Sequence, residues 1–241
     1  MNRQQYNQLV DEFTDWTMDH IFELAAVDHR PPLVVPLTVT FQIGMVRPDR
    51  VLLEFERLYT RVCRLLITNP ERQSKRHLLP FVLAFRDDPS TRPNKRQRVG
   101  LLSTHPSVAE HVHSIMVVHP AVADRFLEVA GDLETVWRSI PRRGGCSLGL
   151  PRHDNGSLRV ELGLAHRVRG MMEADPAGCR PRVRGEVRRW IDYSAKLMRR
   201  RSAAAEGDLF TALPTETGSP LAGRPALAGR NPAGRETSTG V

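Results

Sequence analysis

The sequence predicts an α+β fold in which a central antiparallel β-sheet is flanked by helices. Three observations predict it. Short β-rich apolar runs and longer helix-periodic runs follow the order strand, helix, strand, strand, helix, strand, helix. Clusters rich in Pro, Asp, Asn and Gly stand beside the strand runs, as at 86–89 and 154–156. The chain has 241 residues with an ordinary 40% apolar share, enough for one domain with extensions or two small ones.

Arg3 to Val27 reads as an amphipathic helix, because Tyr6, Leu9, Val10, Phe13, Trp16, Ile21 and Leu24 recur at near-helical spacing. His29-Arg30-Pro31-Pro32 breaks the chain, so residues 1–30 are expected as an N-terminal helix ahead of a main domain over 31–201. Leu33 to Gln42 is strand-like, with Leu37, Val39 and Phe41 on one face and Thr38 and Thr40 on the other. Asp49 can cap a helix running to about Ile67. A second strand is expected over Leu78 to Phe85, and a third begins at His111 and ends before Pro120. Ala121 to Ile140 reads as a helix with Val122, Phe126, Val129, Leu133, Val136 and Trp137 inward. Asp154-Asn155-Gly156 is a hairpin signal ahead of an expected fourth strand, Ser157 to Ala165. The last helix is expected over Arg182 to Arg201. Residues 202–241 are rich in Gly, Ala, Pro, Ser and Thr without apolar periodicity, and are expected to be a disordered tail.

Charge points to a class of partner. The formal net charge is +8, and the last 40 residues carry three arginines against four acidic residues, so the excess lies before residue 202. A basic domain of this size favours a polyanion, most simply nucleic acid. Only Lys75, Lys95 and Lys196 are lysines. Arginine suits phosphate, though a GC-rich genome would give the same bias. The three cysteines are scattered, with no C-x-x-C, which argues against a disulfide framework or a cysteine zinc site and fits a reducing cytoplasm. The acidic N-terminal segment does not read as a signal peptide, and the longest apolar run, Leu78 to Phe85, is too short to span a membrane.

Two segments carry candidate chemistry. In His111-Val112-His113 the side chains of His111 and His113 share one face of a strand, where two imidazoles can hold one metal ion. Buried histidines need partners, and a shared cation would satisfy both. Far along the chain, Tyr193 is followed three residues on by Lys196, which a helix places beside it. A nearby ammonium can orient or help ionise a phenol. Trp190, Tyr193 and Leu197 also form an i, i+3, i+7 stripe, so Tyr193 reads equally as a core residue.

The chain resembles the HUH endonucleases, the rolling-circle replication initiators of plasmids and single-stranded phages with related transposases and relaxases. The resemblance rests on three motifs in the family's order. They are the Thr-containing strand Pro36-Leu37-Thr38-Val39-Thr40-Phe41, the pair His111-Val112-His113, and the Y-x-x-K segment Tyr193-Ser194-Ala195-Lys196. It covers about Leu33 to Arg201 and implies an HUH, ferredoxin-like nuclease fold. It further implies that His111 and His113 hold Mg²⁺ or Mn²⁺ and that Tyr193 attacks a scissile phosphate, giving a 5′-phosphotyrosine and a free 3′-hydroxyl, with Lys196 assisting. A third metal ligand is usual in that family. Asp87 is the first choice, since Phe81, Leu83, Phe85 and Asp87 share a face; Asp88 and Glu110 are fallbacks, with His105 and Asp192 behind them. The implied partners are single-stranded or hairpin origin DNA and a host helicase, because no G-x-x-x-x-G-K-[ST] motif is present for a fused motor. DNA contacts are expected from Arg92, Lys95, Arg96, Arg98, Arg142, Arg143, from the arginines at 180–189, Arg188 and Arg189 among them, and from arginines at 199–201.

Three other readings fit the same residues. One is a non-catalytic DNA-binding protein or repressor, with Tyr193 in the core. Another is a transposase or relaxase of the same superfamily. The third is a metal phosphodiesterase that activates water and has no need of Tyr193.

Overall fold

The computed structural model describes residues 2–41, 46, 50–87, 111–133, 135, 157–196 and 210–214. Helix α1 spans Arg3–Asp28 and begins with a capping box, in which the Asn2 side chain accepts from Gln5 N and the Gln5 side chain accepts from Asn2 N. Its C-cap, His29, has φ 52°, a left-handed turn that ends the helix ahead of Pro31 and Pro32. The expected Arg3 to Val27 helix is thus present almost residue for residue.

Strand β1 is Leu33–Thr40, β2 is Phe81–Asp87, β3 is His111–Val118, β4 is Ser157–Val160 and β5 is Phe210–Leu213. They form one sheet in the order β4-β1-β3-β2-β5, with every pairing antiparallel. The α+β class and the antiparallel sheet flanked by helices are therefore as the sequence predicts. Helices α2 (Val51–Leu66) and α3 (Pro120–Ala130) pack with one sheet face, on Leu33, Val35, Leu37, Val39, Val82, Ala84, Val112, Met116 and Val118. Helices α1, α4 (Leu162–Ala174) and α5 (Arg180–Ser194) pack with the other, which presents Val34, Phe81, Leu83, Phe85, Ile115 and Val117. Alternation along each strand separates the two cores. It also puts Thr38, Asp87, His111 and His113 on the α5 face.

Helix α1 is integral to this second core rather than a separate unit over 1–30. Tyr6, Val10, Phe13 and Ile21 are buried in it, and Phe13 meets Phe85 edge-on at 5.2 Å. Helices α1 and α5 run antiparallel and are laced by charge. Arg188 pairs with Asp11, Arg184 with Asp11 and Asp15, and Arg180 with Asp19.

Several expected boundaries are corrected. The second strand begins at Phe81, not Leu78, because Gln73–Leu78 is a 3₁₀ turn followed by Pro80, whose carbonyl accepts from Tyr59 Oη. It also runs on to Asp87, through the segment expected to end it. The fourth strand stops at Val160, and Leu162–Ala174 is helical, burying Leu164, Ala165, Val168 and Met172 at helical spacing. The third helix is Pro120–Ala130 rather than Ala121 to Ile140, and residues 136–140 lie outside the described residues. The last helix is Arg180–Ser194, and 197–201 lie outside as well. The stretch 202–241 is not wholly without structure, since Phe210–Leu213 pairs with β2 as an edge strand. Phe210 packs against Phe13 at 4.9 Å, and Thr211 Oγ1 donates to Glu56 of α2. Asp49, the expected cap of α2, falls outside the described residues.

Candidate functional site

The end of the sheet beneath α5 gathers side chains from four elements. Thr38 of β1 is the direct register partner of His113 on β3, and Asp87 of β2 is the partner of His111. His113 and Asp87 are buried, at 4% exposure each. Both nitrogens of His113 are engaged. Nε2 lies 3.3 Å from Asp87 Oδ2, and Nδ1 lies 3.1 Å from Thr38 Oγ1. An ionised carboxylate can only accept, so Nε2 carries the proton facing Asp87, and in the neutral ring Nδ1 accepts from the Thr38 hydroxyl. The His111 ring stands 6.4 Å from that of His113 and within 26° of parallel to it, as neighbours on one strand face do.

Helix α5 supplies the roof. Val183, Val187, Ile191 and Ser194 form its buried face. Trp190 donates from Nε1 to the Ser114 carbonyl at 3.2 Å, which fixes the helix over β3. Tyr193 is offset from that buried face. It is 45% exposed, so it is not the core residue that the Trp190–Leu197 stripe also allowed. Its ring meets that of His113 edge-on at 5.1 Å and that of Trp190 at 5.7 Å. Tyr6 and Tyr59 are buried.

Lys196 follows one turn beyond Tyr193 and reaches back under it. Its Nζ is 2.7 Å from Asp87 Oδ2 and 4.0 Å from the centre of the Tyr193 ring. The Asp87 contact is a close ion pair. Burial alone would push the Asp87 carboxyl up. The His113 hydrogen bond and the Lys196 charge outweigh burial and hold the carboxyl down at about 2. The carboxylate is therefore ionised at neutral pH, balanced by one ammonium and oriented by one imidazole.

Among the described residues, no three His, Cys, Asp or Glu side chains are grouped as ligands of one ion. The donor chemistry nevertheless fits a divalent cation. The carboxylate suits Mn²⁺ or Mg²⁺, and imidazole is a common ligand of divalent transition metals. Two ligands in neighbouring positions on such an ion stand about 3 Å apart, close to the 3.3 Å between His113 Nε2 and Asp87 Oδ2. Thr38 can accept as well as donate, so it can support His113 with the proton on Nδ1, the form in which Nε2 is free to bind a metal.

The expected site residues Asp87, His111, His113, Tyr193 and Lys196 thus come together. The expected DNA-contacting residues divide. Arg188 is committed to Asp11 at 2.7 Å, and Arg189 pairs with Glu186 while remaining 75% exposed. Arg92, Lys95, Arg96, Arg98, Arg142 and Arg143 lie outside the described residues, as do the fallback ligands Asp88, His105 and Glu110. Asp192 is exposed, and its carbonyl accepts from Tyr6 Oη. Thr38 and Trp190 were not singled out as site residues in the sequence. The signal for Thr38 was its place on the polar face of β1, and for Trp190 its position three residues before Tyr193. Cys63 offers no alternative nucleophile, since burial pushes its thiol up to about 11. No helix among the described residues is long and apolar enough to cross a membrane. No family model, curated protein or solved structure matches the chain.

Proposed function

We propose that the protein is a divalent-metal-dependent nickase and strand transferase for single-stranded DNA, with Tyr193 as nucleophile. The observation that carries this reading is the exposed Tyr193 standing over the buried His113–Asp87 pair, with Lys196 touching both its ring and Asp87. A packing tyrosine has no need of that setting. A phenol that must meet a large polyanion needs exposure, a fixed ring and a nearby cation.

In this reading Tyr193 Oη forms a bond to the scissile phosphorus and the bond to the 3′ oxygen breaks. The products are a 5′-phosphotyrosine and a 3′-hydroxyl, and the proton lost by the phenol is balanced by the one gained by the leaving oxygen. The phosphotyrosine is again a phosphodiester, so the reverse step rejoins the strand. Lys196 favours the ionised phenol and offers a charge to the phosphate. Trp190 and His113 hold the tyrosine ring in place. Mg²⁺ or Mn²⁺, held by His111, His113 and Asp87, would supply Lewis-acid stabilisation of charge on the phosphate. The substrate is single-stranded or hairpin origin DNA, a host helicase opens the duplex, and the setting is the cytoplasm of a bacterial host. The basic charge of the chain supports a polyanionic substrate.

The test is incubation of the full chain with single-stranded oligonucleotides from its own replicon and Mn²⁺, read on a denaturing gel. The expected result is a metal-dependent protein–DNA adduct, absent with Tyr193→Phe and with His113→Ala. Cleavage that survives Tyr193→Phe would replace this reading with a water-activating phosphodiesterase. Retarded DNA without cleavage on any substrate would replace it with a binding protein or repressor.

A further inference from the structure

We propose that the Lys196 ammonium is the resident cation of this site in its ion-free state, and that a divalent ion displaces it from Asp87. The displacement also shifts Lys196 off the face of the Tyr193 ring toward the phenol oxygen and solvent, where it keeps the role given above, so occupancy of the site and the disposition of the tyrosine are coupled. The inference rests on the reading above that a divalent ion binds here.

The geometry carries it. Asp87 Oδ2 is shared by His113 Nε2 at 3.3 Å and Lys196 Nζ at 2.7 Å. The carboxylate is almost fully buried, and the Lys196 side chain is 18% exposed. As it stands, one negative and one positive charge balance in a site with little water. A divalent ion bound to the same carboxylate would lie within a few ångströms of the ammonium, leaving several positive charges facing a single negative one. Low-dielectric surroundings make such an excess costly. Moving the ammonium to water is the local way to remove it.

The side chain suits the part. The Asp87 contact is a single one, from the ammonium to one carboxylate oxygen at 2.7 Å. Lysine is a compact charge on a flexible stem, whereas an arginine fork would clasp the carboxylate with two bonds. This chain uses arginine for all but three of its 35 basic residues, and one of the three exceptions sits here. The same Nζ lies 4.0 Å from the Tyr193 ring centre, so a move away from Asp87 changes what the ring meets.

The test uses two measurements on the full-length protein. Free Mn²⁺ is titrated by electron paramagnetic resonance with wild type, Lys196→Met, Lys196→Gln and Asp87→Asn. Wild-type protein is then labelled with an amine-acetylating reagent, with and without saturating Mn²⁺, and Lys196 acetylation is compared with that of Lys75 by peptide mass spectrometry. The expected results are Mn²⁺ binding about tenfold tighter in both Lys196 variants, weaker binding in Asp87→Asn, and a severalfold rise in Lys196 labelling on adding Mn²⁺ with Lys75 unchanged. Wild-type binding of Mn²⁺ with no change in Lys196 labelling and no gain in the variants would overturn the exchange and leave the metal site standing. Absence of Mn²⁺ binding from wild type and both Lys196 variants would overturn the exchange and the metal reading together.

Discussion

Tyr6 Oη donates a 2.8 Å hydrogen bond to the main-chain carbonyl of Asp192, so the start of α1 holds the residue that precedes Tyr193. Tyr6→Phe keeps the buried ring and removes this one bond. The expected cost is about 1 kcal/mol of stability, read from urea unfolding. A loss of nicking rate larger than the loss of folded protein is expected with it, because the end of α5 would be less firmly placed.

Tyr193→Phe is expected to separate chemistry from folding. The side chain is 45% exposed and its hydroxyl has no described hydrogen bond. Stability should change by less than about 0.5 kcal/mol, as for other surface changes, while adduct formation is abolished. A thermal melt beside the denaturing gel checks both outcomes.

The ion-free protein should lose stability in acid through Asp87. Its folded-state carboxyl is held at about 2, below its ordinary value. A carboxyl lowered on folding stabilises the fold above its unfolded pKa, and that contribution is lost as pH falls through the folded value. The window therefore runs from about pH 4 down to about pH 2, with roughly 2 kcal/mol at stake. Urea midpoints across this range should fall more steeply for wild type than for Asp87→Asn, which has already lost the contribution.

The charge lacing between α1 and α5 should contribute little and should screen. Arg188 holds the Asp11 carboxyl low through a hydrogen bond, but the pairs are between about a third and three-fifths exposed. Asp11→Asn, which weakens two contacts at once, is expected to cost less than about 1 kcal/mol. The difference from wild type should shrink in high salt, as urea melts at two ionic strengths would report.

Phe210→Ala tests the edge strand. The ring meets Phe13 at 4.9 Å and leads β5 onto β2. A loss of about 2 kcal/mol is expected, together with increased amide exchange along the outer edge of β2.

The central strands were legible because their signals are local. Leu33 to Gln42 alternates cleanly, and the His111 strand is an apolar run stopped by Pro120. The α2 face could be read for the same reason, Val51 to Leu66 recurring at helical spacing. The helix after β4 was hidden by Leu158, Val160, Leu162 and Leu164, which continue a two-residue alternation into it, and by Gly163 and Gly170, which weaken its helical propensity. β5 was missed because four residues in a Gly- and Pro-rich stretch carry no period, and its support comes from Phe13, nearly two hundred residues away. The ion pair of Arg188 is not evident locally, because its partner lies in α1. The clue was there in two matching series, Asp11, Asp15 and Asp19 against Arg180, Arg184 and Arg188, each spaced by four. For the site, the sequence supplied His111, His113, Asp87, Tyr193 and Lys196. It could not supply the ion pair between Asp87 and Lys196, because proximity between distant residues depends on how β2 and α5 dock.

The site draws on residues 38, 87, 113 and 193–196, and the helix that roofs it is the last of the described helices to be made. A growing polypeptide therefore acquires strands β1 to β4, with their carboxylate and imidazoles, before it acquires the phenol and the ammonium. A product released early, at any point before Tyr193, carries the floor of the site without Tyr193 and Lys196. Under the proposed function, synthesis withholds the nucleophile until strands β1 to β4 and the other described helices exist.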